Sequence, residues 1–280
     1  MEHAQDSPQK KCRKPSSQVT QESNVKTDEG RCHKKLKTSH TFTSTPAQAT
    51  SGPFLDPAML EQNQAHASLT IPVPLTTDAS FTCIYVDLET SGLDEGNDIN
   101  QIAAVYGEKE FSCYVTPTKT IPEVVTKITG LSENQGLLYL HGEPLETVSI
   151  AEALEAFIDW LRPLKPCLLL AHNAAFDAKH LFHHLKNEAM YDSFTEVVCG
   201  FSDTLGIFRE VYPRRRTHRQ VDLVKDILGK SYEAHNGIHD AKILQELTEF
   251  AKVEKDIIIR HSGDCDYWKN IIQGKQTFRK

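Results

Sequence analysis

The sequence predicts an α/β domain built on a mixed β-sheet, preceded by a long polar leader. Three patterns carry this expectation. Short apolar runs at 81–86, 99–106 and 110–115 read as strands. From Ser149 onward, helical periods alternate with short apolar runs, an order that lays helices against a sheet of mixed direction. Residues 1–78 hold no helical or strand period.

Along the chain, Gly107 supplies the turn between the second and third strands. Ser149 caps a helix whose Ile150, Ala153, Leu154, Phe157, Ile158 and Leu161 share one face, and Pro163 stops it. Residues 167–171 are a short apolar strand, and 174–186 a helix with Ala178, Leu181, Phe182 and Leu185 inward. A further strand is expected at 196–201. Helices come next at about 203–211, at 219–228 with Gly229 ending it, and at 237–252 with Ala241, Leu244, Leu247 and Ala251 as the stripe. The domain thus spans 79–254. Residues 255–280 alternate charged and apolar positions and read as a C-terminal tail or a docked last helix.

The leader is rich in Ser, Thr, Gln, Pro and Lys, and buries too little apolar surface to offset the entropy of ordering, so 1–78 is expected to be disordered. The chain of 280 residues carries a net charge of −7, unevenly spread. Residues 1–40 hold nine Lys/Arg against five acids, net +4, leaving 22 basic and 33 acidic residues, net −11, in the rest. The clusters KKCRK (10–14) and RCHKKLK (31–37) suit nuclear import or loose nucleic-acid contact. No apolar run reaches the roughly 18 residues of a membrane span, and the N-terminus lacks the apolar core of a secretory signal. The seven cysteines are scattered with no CxxC pair, which argues against a zinc or disulfide framework. A reducing compartment, nucleus or cytoplasm, is expected, with no membrane partner.

The stretch IYVDLETSGL ends an apolar strand with two carboxylates, Asp87 and Glu89, two residues apart and so on one side of the strand. In LLLAHNAAFDAKHL, a strand runs through His172 and Asn173 into a helix with Asp177 in its first turn, at the sheet end where α/β proteins hold ligands. In AHNGIHDAKIL, His235 precedes Asp240 by five residues, and Asp240 lies beside the buried stripe of its helix. Four acids gathered together repel and raise one another's pKa. Hard divalent cations relieve this: Mg²⁺ takes oxygen ligands, and two ions about 4 Å apart clamp the attacking and leaving oxygens of a phosphodiester. His235 is then placed to take a proton from the attacking water.

Asp87-x-Glu89-Thr90 followed by Gly92-Leu93, then His172-Asn173-Ala174-x-Phe176-Asp177, then His235-x4-Asp240, in this order and spacing, resemble the DEDDh family of 3′–5′ exonucleases, which includes proofreading subunits, RNase T and the three-prime repair exonucleases. The resemblance covers about 80–250. A narrower similarity is to the exonuclease-like C-terminal domain of the promyelocytic leukaemia protein. The resemblance implies an RNase H-like fold with a five-stranded mixed sheet flanked by helices. It implies two Mg²⁺ ions, with Mn²⁺ as a substitute, on Asp87, Glu89, Asp177 and Asp240, and His235 as general base. It further implies that Thr90, Gly92 and Leu93 meet the terminal nucleotide, and that KITGLS (127–132) wedges near the last base through Ile128 and Leu131. Homodimerisation occurs in some relatives.

Asn173 has two readings, a hydrogen bond at the site or a cap on the helix carrying Asp177. In YPRRRTHRQ (212–220), Arg214, Arg215 and Arg216 form the densest basic run of an acidic domain, read as a grip on a single-stranded phosphate backbone. In KHLFHHLK (179–186), His180 and His184 have zinc-helix spacing but no intervening glutamate, and the histidines are expected on the outer face. The expected activity is 3′–5′ hydrolysis at single-stranded DNA or RNA ends, with DNA favoured. The rival is an inactive nuclear scaffold or nucleic-acid-binding protein on the same fold, which the complete five-residue set disfavours.

Overall fold

A computed structural model of the chain describes residues 80–274. The expected disordered leader and its two basic clusters lie outside the described residues. Strand β1 (Thr82–Thr90) pairs antiparallel with β2 (Ile99–Tyr106), and β2 antiparallel with β3 (Lys109–Tyr114). The chain then builds α1 (Glu123–Thr129) and a small antiparallel sheet of β4 (Leu131–Asn134), β5 (Leu137–Leu140) and β6 (Glu143–Pro144). Helix α2 (Ile150–Leu161) leads to β7 (Cys167–Ala171), which pairs parallel with β1. Helices α3 (Ala174–Asn187) and α4 (Tyr191–Thr195) precede β8 (Val198–Asp203), parallel to β7. Helix α5 (Thr204–Val211), the short α6 (Gln220–Leu223) with a wider turn at Val224–Leu228, and α7 (Gly237–Phe250) come after it. Residues beyond 254 form α8 (Lys255–Arg260), β9 (Ser262–Asp264) and α9 (Cys265–Ile272).

The main sheet has six strands in the order β3-β2-β1-β7-β8-β9, one more than expected. The extra strand, β9, is only three residues long and antiparallel to β8, too short for a period-2 signal. Helix α9 anchors it. Asp264 accepts a hydrogen bond from the Tyr267 amide at 2.7 Å to start α9, and the buried Trp268 donates its indole N–H to the Phe201 carbonyl at 3.0 Å.

Two cores sandwich the sheet. Ile84, Val86 and Leu88 alternate toward one face, where Leu154, Phe157 and Leu161 of α2 and Ala178, Leu181 and Leu185 of α3 cover them. Tyr85, Leu168 and Leu170 face the other side, against Ile207 and Phe208 of α5, Leu244 and Leu247 of α7, and Ile258 of α8. Strand β7 is buried at every position, as a central strand covered on both faces must be. The helix expected from Ser149 begins with a full capping box, Ser149 and Glu152 each closing on the other's backbone. The small sheet and α1 were not anticipated, because their apolar content, Ile121, Leu131 and Leu138, amounts to a miniature core with no long period.

Candidate active site

Strand β1 carries Asp87 and Glu89 on the face that α7 covers. An irregularity in its pairing with β2 falls between Glu89 and Thr90, where an extra residue re-aims the strand end. Helix α7 starts hard against this spot. A Cβ on Gly237 would lie 3.1 Å from the Ala103 Cβ and 3.1 Å from Gln101 Oε1, so glycine lets the helix approach. The buried Gln101 accepts the Gly237 amide at 3.0 Å and donates to Ser112 Oγ at 3.0 Å, tying the helix start to the sheet. One turn on, Asp240 comes to Asp87 and Glu89: one carboxylate oxygen from each of the three lies within 4.8 Å of the others.

Glu89 and Asp240 are buried and Asp87 keeps some solvent access. All three are pushed toward the protonated form. For Asp87 burial acts first, then the charges of Asp240, Glu89 and Asp177, which together hold its pKa well above the carboxylate range. Burial, Asp240 and Asp177 raise Glu89 to about 8. Burial also raises Asp240, opposed by a hydrogen bond from Tyr232 and by His235. Asp177, buried in the first turn of α3, rises to about 8 through burial, against backbone hydrogen bonds of its own amide and of Leu88. It is felt by Asp87 and Glu89 but is not among the three acids that share the 4.8 Å cluster. His235 occupies an exposed left-handed turn at φ 64° just before α7.

The surroundings of Asp240 were not legible in the sequence. Its Oδ1 accepts the Tyr232 hydroxyl at 2.6 Å and the Gln220 amide at 3.1 Å, and its Oδ2 the Asn236 amide at 3.1 Å. Gln220 ends the arginine run, which disguises it, and nothing marks Tyr232. Asp203 was missed as well, though an aspartate directly before a helix is a cap signal. Its Oδ1 accepts the amides of Asn173 at 3.0 Å, Ala174 at 3.4 Å and Leu205 at 3.0 Å, and so starts both α3 and α5.

That arrangement corrects the capping reading of Asn173. Its side chain makes no capping bond, its backbone is left-handed at φ 75°, and Asp203 does the capping. Thr90 is buried and donates to the Gly92 carbonyl at 2.8 Å, and a Cβ on Gly92 would meet the Asn97 amide at 2.7 Å, so both shape the loop that exposes Leu93. Ile128 is exposed on α1, whereas Leu131 is packed in the miniature core beside Ile121 and Leu138, its side chain turned away from solvent. Arg214 and Arg216 are exposed. Arg215 is not a free cation: it binds Asp226 at 2.6 Å and the carbonyls of Asp222 and Thr217, stapling the segment before α6.

Two of the α3 histidines, His180 and His184, depart from the expected outer face, while His183 meets Asn187 in the open. His180 is fully buried against the Phe176 ring, and burial drops its pKa to about 4. His184 pairs with the Asn97 carbonyl at 3.0 Å, and Lys179 donates to the Leu93 carbonyl at 2.5 Å. This side of α3 therefore braces the Leu93 loop. Among the described residues, the one group of three or more potential ligand side chains found is Asp87, Glu89 and Asp240.

An acid cluster on this sheet places the chain in a known class. The family model RNase_T, described as an exonuclease, matches residues 84–248. The chain belongs to this exonuclease family, of DEDDh type, and its six-stranded mixed sheet flanked by helices is RNase H-like. It is similar to a PolC-type DNA polymerase III of Clostridium perfringens, at 33% identity over 64% of this chain and 12% of the relative. It is 27% identical to the DNA polymerase III epsilon subunit of Pasteurella multocida, over 59% of this chain and 65% of the relative. The 3′–5′ exonuclease DinG of Bacillus subtilis is 29% identical over 57% of this chain and 16% of the relative. The chain thus corresponds to a small part of the PolC-type and DinG proteins.

Proposed function

We propose that this protein is a metal-dependent 3′–5′ exonuclease that removes nucleotides from single-stranded 3′ ends, DNA in preference to RNA. The observation that carries the reading is the convergence of Asp87, Glu89 and Asp240 within 4.8 Å, with each carboxyl raised by burial. Such a set of hard oxygen donors suits Mg²⁺ or Mn²⁺. Asp87, Glu89, Asp177 and Asp240 would hold two such ions, which supply Lewis-acid charge to the scissile phosphodiester.

The chain's own side chains divide the remaining work. His235, on its exposed turn beside Asp240, takes the proton of the attacking water onto a ring nitrogen. Leu93, on the loop shaped by Thr90 and Gly92, and Ile128, on α1, offer exposed apolar surface to the terminal base. Arg214 and Arg216 hold backbone phosphates, and Arg215 fixes the segment that presents them. DNA is favoured because the relatives are named for DNA polymerases. The basic leader suits a nuclear or cytoplasmic protein.

A cleavage assay tests this. Purified protein is given a 5′-labelled single-stranded DNA and the matching RNA, each with Mg²⁺ and with EDTA. A Mg²⁺-dependent ladder shortening from the 3′ end, stronger on DNA, is expected. Binding of both polymers without cleavage would overturn the reading and leave a nucleic-acid-binding scaffold.

A further inference from the structure

Asp240 differs from the other acids in how its carboxylate is held. Neutral donors reach it on both oxygens: the Tyr232 hydroxyl and the Gln220 amide on Oδ1, and the Asn236 amide on Oδ2. Gln220 also donates to the Asp240 backbone carbonyl at 3.0 Å and to the Tyr232 hydroxyl oxygen at 3.1 Å, so the three residues lock one another. Neutral donors orient a carboxylate without cancelling its charge. An arginine or lysine in the same place would do both, and would weaken the site for a cation. The donors also come from outside α7. Gln220 opens α6, immediately after the arginine run, and Tyr232 lies in the segment between Gly229 and α7. The orientation of Asp240 therefore depends on two segments that touch neither Asp87 nor Glu89 through any hydrogen bond in the described residues.

We infer that Tyr232 and Gln220 are positioning residues that aim the Asp240 carboxylate at the site shared with Asp87 and Glu89, and so set its affinity for divalent metal. The inference rests on the reading of these acids as a metal site. Removal of an outer partner of a metal ligand typically weakens binding or activity by about 10- to 100-fold.

The test uses the full chain with Tyr232→Phe, Gln220→Met and the double substitution, each of which removes a donor at nearly constant volume. Mn²⁺ binding is followed by calorimetry, cleavage is titrated against Mg²⁺, and folding is checked by thermal melting in EDTA. The expected result is an Mn²⁺ Kd and a Mg²⁺ half-saturation raised by about 10-fold or more, with the double variant worst. KM for DNA at saturating Mg²⁺ and the metal-free melting temperature should barely move. Unchanged metal binding in all three variants, or a rise confined to KM for DNA, would overturn the inference and leave the pair as struts of the Gln220 segment. Absence of both Mn²⁺ binding and cleavage in the wild type would overturn the metal reading itself, and the inference with it. The wild-type arm thus separates the two failures.

Discussion

Helices α3 and α7 each bring one aspartate to the same end of the sheet, from opposite faces, and they do it differently. Helix α7 is fastened at its first residue by Gln101, and its Asp240 is gripped by Tyr232, Gln220 and Asn236 and brings an oxygen within 4.8 Å of Asp87 and Glu89. Helix α3 is fastened by Asp203, an acid borrowed from the end of β8, and its Asp177 leans on backbone amides and stands off from the other three. The difference teaches that the site is part preformed and part assembled. Three acids are held within 4.8 Å of one another by the fold, against their own repulsion. The fourth, Asp177, acts through charge on Asp87 and Glu89.

The largest effect expected is from the preformed trio. Asp87→Ala should abolish cleavage while the metal-free fold stays intact or gains slightly in stability, because one of several crowded negative charges is gone. Denaturant unfolding in EDTA beside the cleavage assay checks both halves. A marked loss of metal-free stability would mean that the trio holds the fold together and is not a strained binding site.

His235→Ala comes next, with cleavage slowed by about 10²- to 10⁴-fold and Mn²⁺ binding retained in calorimetry. Lost metal binding would move His235 from proton transfer to the ligand set.

Asp203→Ala probes the other helix. Loss of a cap costs about 1–2 kcal/mol, a fall of about 2–8 °C in melting temperature for a domain of this size. Cleavage should fall by less than about tenfold, because Asp177 keeps its own backbone partners. A loss as deep as that of Asp87→Ala would show that α3 depends on its cap as α7 depends on its clamp.

The last prediction concerns the stability of the metal-free protein against pH and leaves cleavage aside. Glu89 and Asp177 have folded-state values near 8, above ordinary values of 4.5 and 3.8, so the folded protein binds more protons than the unfolded chain between those limits. Stability of the metal-free protein is therefore fully present below the ordinary carboxylate range and declines as pH rises through about 8. Melting curves in EDTA across that window should show the decline, and millimolar Mg²⁺ should flatten it. A metal-free protein that gained stability with rising pH would contradict the burial of these acids, which raises both.

Much of this molecule was legible before its fold was known. Strand and helix periods located β1, β2, β7, α2, α3 and α7, because each buries a face long enough to leave a repeat. The small sheet after α1 and the strand β9 were not legible, being two to four residues long and dependent on neighbours such as Trp268 for their burial. The acids were visible as motifs, since local spacing fixes which side of a strand Asp87 and Glu89 share. The state of each side chain was not. Arg215 reads as one of three equal cations and is a staple, Leu131 reads as surface and is core, and His180 reads as exposed and is buried.

The sequence by itself determined the α/β pattern and the places of the acids and His235 along the chain. Those arise from interactions within a few residues. Tertiary structure alone decided which acids converge, that Asp203 reaches back to start α3, and that Gln220 and Tyr232 grip Asp240. The hydrogen bonds among these join residues 8 to 30 positions apart, that of Gly237 on Gln101 spans 136, and the acids of β1 and α7 stand further apart still. No local period records a partner at that distance, because the pairing exists only once the two faces of the sheet have been covered.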